Sequence, residues 1–409
     1  MRIRRPEGAL LVLAVALLGA TPARPPLLSE IDQTIRERFW DPKLKGIGWE
    51  GAVAKAAAEL TASPAPSAAD ADAIYDRLLA TLGDSHTFRV RAGRLPEHGW
   101  GTAGLRIGQD GDGYAVKGVI PGGPAERAGF RLGDRILSVD ERPYGSERVN
   151  FRDLFFVFEG EPGSSVSVRR QKSADTRDAA VAQELIRIPE PAVDDLVWKS
   201  ARVIRRNGKA YGYARLWGMS ADAALAIVDM LSDPKGAEGS RPNLGGLSQI
   251  DGFLLDVRGN SGGYDPNILP TFLRGQWNAA DYYVISRDAK RLVPPAYKPL
   301  PVALLTNSGT ASNAEALALK FRAHKIGPIV GEKTAGMASG GAAAVKLSDG
   351  SMLWFSERAI ESLDGKSYEG RGVEPDLAVA DRPAAAEGQE DAVIEAAIDA
   401  LAAKPRPPA

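Results

Sequence analysis

The chain has 409 residues, with 51 Lys and Arg against 52 Asp and Glu and 44% hydrophobic residues. That length leaves room for two or three domains, and the balanced charge gives no bulk attraction for nucleic acid. Cysteine is absent and the only histidines are His86, His98 and His324. Disulfides, thiol nucleophiles and thiolate metal sites are therefore excluded, and any imidazole chemistry rests on one of three residues.

Arg2, Arg4 and Arg5 precede a nearly unbroken apolar run from Ala9 to Ala20, with small residues around Ala20 and Ala23. This pattern reads as a secretory signal peptide over residues 1–23, and its apolar run is shorter than the roughly 20 residues that span a bilayer core. The expectation is an exported protein, periplasmic or extracellular, without a stable membrane span.

Over 24–95 apolar residues recur at helical spacing, as at Ile31, Ile35 and Phe39, and again at Ile74, Leu78 and Leu79, which predicts an N-terminal helical domain. It ends in the polar segment Asp84-Ser85-His86-Thr87, which sets His86 between a helix and a strand. Over 96–190 short apolar or β-branched stretches at 114–120, 135–139 and 165–169, punctuated by glycine, predict a strand-rich domain. Over 191–382, strands at 211–217, 253–257, 282–286 and 302–306 alternate with helices at 221–231 and 312–325, the pattern of an α/β core. Residues 383–409 read as a closing helix and a tail.

Three segments of the core carry chemistry. Strand 253–257 runs into Gly259-Asn260-Ser261-Gly262-Gly263, where glycines let the backbone turn and aim N–H groups into a cavity, as an oxyanion hole requires. A strand-to-helix turn uses the same residues. After strand 302–306, Ser312 stands at a helix N-terminus, which favours developing negative charge and suits a nucleophile. Ser312-x-x-Glu315 is equally a capping box, and Ser308 and Thr310 are neighbouring hydroxyls. Among the bases, His324 sits where a cation meets a helix C-terminus, His98 lies in a Pro- and Gly-flanked linker, and His86 lies in the polar segment. The segment Tyr368 to Asp376 places an acid between glycine turns, where a carboxylate that holds an imidazole in one tautomer would complete a triad; an isolated Glu there is more often a solvated loop residue.

The stretch Val119-Ile120-Pro121-Gly122-Gly123-Pro124-Ala125, followed by Leu132-Gly133-Asp134-Arg135, resembles the bacterial PDZ domain. Gly104-Leu105-Arg106-Ile107 then occupies the place of its carboxylate-binding loop, which implies capture of a protein or peptide by strand addition. Together with Asp256 to Gly263, Thr310 to Glu315 and Gly331-Glu332-Lys333-Thr334-Ala335-Gly336, in this order, the chain resembles the C-terminal processing (tail-specific) serine proteases. The resemblance implies an α/β multidomain chain whose core is Clp-protease/crotonase-like, with a PDZ domain inserted after the helical domain. It makes Ser312 the nucleophile. In the Ser-Lys branch of that family a lysine base follows directly on the Gly-x-x-Thr-x-Gly segment; here Met337 stands there, and Lys333 does not match the base. The other branch, similar to the tricorn core protease, uses histidine and glutamate. This implies His86 as base, Glu369 as orienting acid and Ser85 as a fourth member, with the oxyanion bound by N–H groups of Asn313 and Gly262 or Gly263.

The resemblance thus implies an endopeptidase, exported as its leader indicates, that works through an acyl-enzyme and calls for no metal or organic cofactor. Its rate is expected to fall as His86 protonates near the ordinary imidazole pKa of about 6.5. The competing reading is a non-catalytic binding protein of the same core fold that carries an apolar ligand. Nothing in the sequence fixes the oligomeric state.

Overall fold

The computed structural model describes residues 24–62, 64–97, 100–172, 180–232, 250–263, 300–359, 367–384 and 390–403, with Leu269, Leu273, 284–285 and 291–292. The leader at 1–23, His98 and most of the expected strand at 282–286 lie outside the described residues.

The strands Arg202–Arg206, Lys209–Arg215, Gly252–Asp256, Val302–Thr306, Ile329–Gly331 and Leu377–Ala378 lie side by side in that order as one sheet. The first pair is antiparallel and the others are parallel. Such strands read as nearly continuous apolar runs because helices cover both faces, and successive side chains alternate between those faces. Phe253, Leu255, Val302 and Leu304 share a core with helices Val193–Ser200, Ala221–Ser232 and Asn313–Ala323. Leu254, Ala303 and Leu305 instead pack with Val393, Ile394 and Ile398 of helix Ala392–Ala402. The closing helix is therefore a layer of the core. The strand expected at 211–217 starts and ends two residues earlier, because its ladder stops where Arg215 pairs with Asp256.

The inserted domain is an antiparallel array of Leu105–Asp110, Gly113–Val119, Arg135–Val139, Ser165–Gln171 and Val181–Ile186. The N-terminal helices Pro26–Arg38, Trp49–Leu60 and Ala68–Ala80 do not close a core alone. Their Leu28, Ile31, Val53 and Leu78 cluster with Leu347, Leu353 and Phe355, which belong to a long hairpin of strands Ser339–Lys346 and Met352–Ala359 and its turn. Strand Phe88–Val90 adds to that hairpin, with Phe88 opposite Trp354. This pairing carries the 84–87 segment to the first residue of the hairpin, Ser339, and so toward the core. Among the described residues no helix is long and apolar enough to cross a membrane.

Candidate active site

Ser312 joins the loop after strand Val302–Thr306 to helix Asn313–Ala323. Its backbone sits at φ 54° and ψ −128°, a conformation that costs a residue with a side chain about 1–3 kcal/mol and persists only when its surroundings impose it. The constraints are visible: Ser312 N–H donates to Met337 O, and Ala311 N–H to Asn260 O, each at 2.9 Å. The hydroxyl does not cap the helix; Ser312 Oγ lies 3.2 Å from His86 Nε2 instead. The capping-box alternative therefore does not describe this residue. Glu315 is fully buried and accepts from Thr334 Oγ1 at 2.5 Å and from the N–H groups of Gly336 and Met337 at 2.8 Å. Burial pushes its carboxyl up to about 7. Thr310 Oγ1 donates to Val257 O, and Ser308 Oγ is buried without a partner among the described residues. Neither competes with Ser312 for a base.

His86 is buried. Its Nδ1 lies 3.0 Å from Ser85 Oγ and 2.9 Å from Ser339 Oγ, and Phe151 stacks on the ring. Glu369 approaches the imidazole through Ser85: Oε2 accepts from Ser85 Oγ at 3.0 Å and Oε1 from Ser85 N–H at 3.0 Å. Ser339 N–H adds a bond to Oε2 at 2.9 Å, and the Arg148 guanidinium lies 3.3 Å from Oε1. Burial lowers the His86 pKa to about 4, with Arg148 acting in the same direction and Asp84 opposing. This lies below the ordinary imidazole value near 6.5, since desolvation of the imidazolium outweighs the nearby carboxylate. Burial likewise raises the pKa of Glu369, against the pull of Arg148.

The glycine loop divides into scaffold and clearance. Arg258 is buried and pairs with Asp256, Asp381 and Asp391 at 2.7–2.9 Å. Asn260 donates to Leu216 O at 2.7 Å and accepts from Gly262 N–H at 2.8 Å. That last bond gives the Gly262 N–H a partner within the loop. What Gly262 supplies is space: at φ +86°, a Cβ there would stand 2.6 Å from Ser312 Cβ and 2.8 Å from Asn313 N. Asn313 contributes the first helical N–H, and its side chain donates to Gly263 O at 2.5 Å. A cavity of about 410 Å³ opens beside Ser312, walled by Phe88, Phe151, Phe156 and Trp354 and floored by Gly262 and Gly263.

Other expected residues lie elsewhere. His324 is the C-cap of the serine-bearing helix, at its opposite end. Lys333 is half-exposed and pairs with Glu374 at 2.8 Å, while Met337 is buried. Gly104, Leu105, Arg106 and Ile107 are all buried. Their strand lies so close to the core that a Cβ on Gly108 would stand 2.5 Å from the Ser308 carbonyl carbon. Asp84, Arg148, Phe151 and Ser339 were not anticipated. Asp84 at least adjoins Ser85 and His86 in sequence; the other three belong to no motif and meet the site only through folding. Among the described residues no group of three or more His, Asp or Glu side chains is arranged to hold a metal ion.

Residues 210–379 match the sequence profile of peptidase family S41, and residues 116–169 that of the PDZ domain. The chain is 27% identical over 324 residues to "Carboxyl-terminal-processing peptidase 2, chloroplastic" of Arabidopsis thaliana, covering 73% of this chain and 58% of that protein. It is 27% identical over 377 residues to "Putative tricorn protease homolog 2" of Streptomyces coelicolor, covering 85% of this chain and 30% of that protein. The chain thus spans only part of the length of these curated relatives. The solved structure of the photosystem II D1 C-terminal processing protease aligns with a TM-score of 0.56 at 23% identity, over 86% of this chain and 92% of that one, a likeness of fold. Residues 210–379 are thus similar to peptidase family S41 and residues 116–169 to the PDZ domain, with C-terminal processing proteases among the chain's relatives.

Proposed function

We propose that this chain, with its S41 peptidase core and PDZ domain, is an exported serine endopeptidase of the Ser-His-Glu type. The observation that carries the reading is the 3.2 Å approach of Ser312 Oγ to Nε2 of a buried imidazole. A hydroxyl on a strained turn at a helix N-terminus, within reach of a base whose other nitrogen is hydrogen-bonded, is the arrangement that activates a nucleophile.

In this mechanism His86 is neutral at working pH, with its proton on Nδ1. Nε2 takes the Ser312 proton as Oγ attacks a peptide carbonyl. The oxyanion is received by the N–H groups of Asn313 and Gly263, in a site where the helix dipole adds to the donors. His86 then gives the proton to the leaving amine and the acyl group stays on Ser312 Oγ. Water, deprotonated by the same nitrogen, attacks the acyl carbon, and Nε2 returns that proton to Ser312 Oγ as the carboxylic acid leaves. Glu369, acting through Ser85, offsets the charge that develops on the imidazolium.

The substrate is an extended or C-terminal segment of a protein, as the PDZ domain suggests. Because strand Leu105–Asp110 is buried against the core, a peptide that adds to its edge has first to separate the two. Export is supported by the basic and apolar pattern of residues 1–23.

Incubation of the mature protein with an unfolded test protein, followed by mass spectrometry of new N-termini, tests the reading. Cleavage by wild type and none by Ser312→Ala is expected; equal cleavage by both overturns it. The aromatic walls of the cavity also suit an apolar ligand, so the carrier alternative predicts a co-purifying ligand and no new N-terminus.

A further inference from the structure

His86 Nδ1 has two hydroxyl neighbours. Ser339 Oγ lies 2.9 Å from it and Ser85 Oγ 3.0 Å, and the two oxygens are 3.3 Å apart. A neutral imidazole that accepts from Ser312 at Nε2 carries its proton on Nδ1, so both oxygens are placed as acceptors of that one N–H. Each hydroxyl also faces a carboxylate. Ser85 Oγ donates to Glu369 Oε2 at 3.0 Å, and Ser339 Oγ lies 3.4 Å from Asp84 Oδ1. Asp84 is buried; its Oδ1 accepts from Thr87 Oγ1 and Ser356 Oγ at 2.8 Å, and its Oδ2 has no partner among the described residues. A buried carboxylate with an unfilled oxygen is costly to keep unless charge develops beside it.

Resting on the peptidase reading above, we propose that Ser339 is a second positioning residue for the base, with Asp84 as its carboxylate. The Nδ1–H is then held by two hydroxyl arms, Ser85 with Glu369 and Ser339 with Asp84. When Nε2 takes the Ser312 proton, the Nδ1 proton stays on the ring. The imidazolium faces one buried carboxylate, Asp84, and one partly buried carboxylate, Glu369, each one hydroxyl away, and no proton leaves through either arm. Either arm alone is enough to fix the tautomer.

Redundancy of this kind has a kinetic signature. Ser85→Ala and Ser339→Ala should each lower kcat by less than about tenfold with KM unchanged, because the other hydroxyl still accepts the proton. Ser85→Ala/Ser339→Ala should lose about a thousandfold or more, well beyond the product of the single losses, because a ring free to take the wrong tautomer costs on that order. In the Ser85→Ala background, Ser339→Thr keeps a hydroxyl and should retain the rate that Ser339→Ala loses; a residue that merely filled space would show the reverse order. A multiplicative double loss, or a Ser339→Ala change without effect in both backgrounds, overturns the proposal. Full activity in a Ser312→Ala control would overturn instead the peptidase reading on which it rests, so the two failures are told apart.

Discussion

Phe151 lies flat against His86, with ring centroids 4.5 Å apart and planes inclined by 26°, and its N–H donates to Ser85 O at 2.9 Å. A residue of the inserted domain therefore presses on the imidazole and holds the backbone beside it, while Arg148, three positions earlier, reaches Glu369. In this arrangement the inserted domain thus supports the imidazole through Phe151. Phe151→Leu keeps apolar volume, so stability should change by less than about 1.5 kcal/mol. The ring support is lost, and kcat should fall by about tenfold, since small misplacements of a base are expensive. Steady-state kinetics beside a urea unfolding curve would decide; an unchanged kcat in a well-folded variant removes Phe151 from the account.

The pH profile carries a signed prediction. With His86 held at about 4 by burial and by Arg148, the acid limb of kcat/KM, which reports the free enzyme, should lie well below 6.5, leaving the rate flat from neutral pH down to about pH 5.5. Removing a nearby cation eases protonation of the ring. In Arg148→Ala the limb should accordingly move to higher pH, with Glu369 also freed from the pull of the guanidinium. A wild-type limb at 6.5, or a limb that moves down in the variant, contradicts the burial argument.

Gly262 makes a steric prediction. An added Cβ meets Ser312 and the Asn313 N–H at distances no methyl tolerates, on a backbone of positive φ. Gly262→Ala should therefore displace the serine and its neighbouring donor and cost at least about a hundredfold in kcat, the order seen for loss of one oxyanion donor. Kinetics on variant protein with native circular dichroism checks this, and near-wild-type turnover would show that the loop has slack.

Arg258 should matter for stability before it matters for chemistry. It is buried among Asp256, Asp381 and Asp391. Burial raises the Asp256 carboxyl, but Arg258 and Arg215 more than offset that and hold it at about 2. Arg258→Met would leave buried carboxylates uncompensated, a loss of about 3–5 kcal/mol. Denaturant unfolding at pH 7 measures it; a change below about 1 kcal/mol would mean that the carboxylates are compensated from elsewhere.

The parts of the fold legible in the sequence are those set by local pattern. The apolar runs at 253–257 and 302–306 announce strands covered on both faces, and the order of glycine turns at 119–134 announces the PDZ domain. The hairpin Ser339–Lys346 with Met352–Ala359 was missed because Ser339-Gly340-Gly341-Ala342-Ala343 carries almost no β propensity; it is a strand through its partner, not its residues. Missing it hid how the helical domain closes its core, and hid Ser339 beside His86. In the Gly262-Gly263 turn, the Gly262 N–H finds its partner in Asn260 Oδ1 because Asn260 folds back onto the loop. No spacing rule encodes that.

The central claim is that Ser312 is activated by His86, and labelling by a fluorophosphonate, which bonds covalently to an activated serine oxygen with loss of fluoride, tests it most directly. Wild type should be labelled at Ser312, and both Ser312→Ala and His86→Ala should remain unlabelled while folded. Labelling of His86→Ala at the wild-type rate, or an unlabelled wild type, would contradict the account.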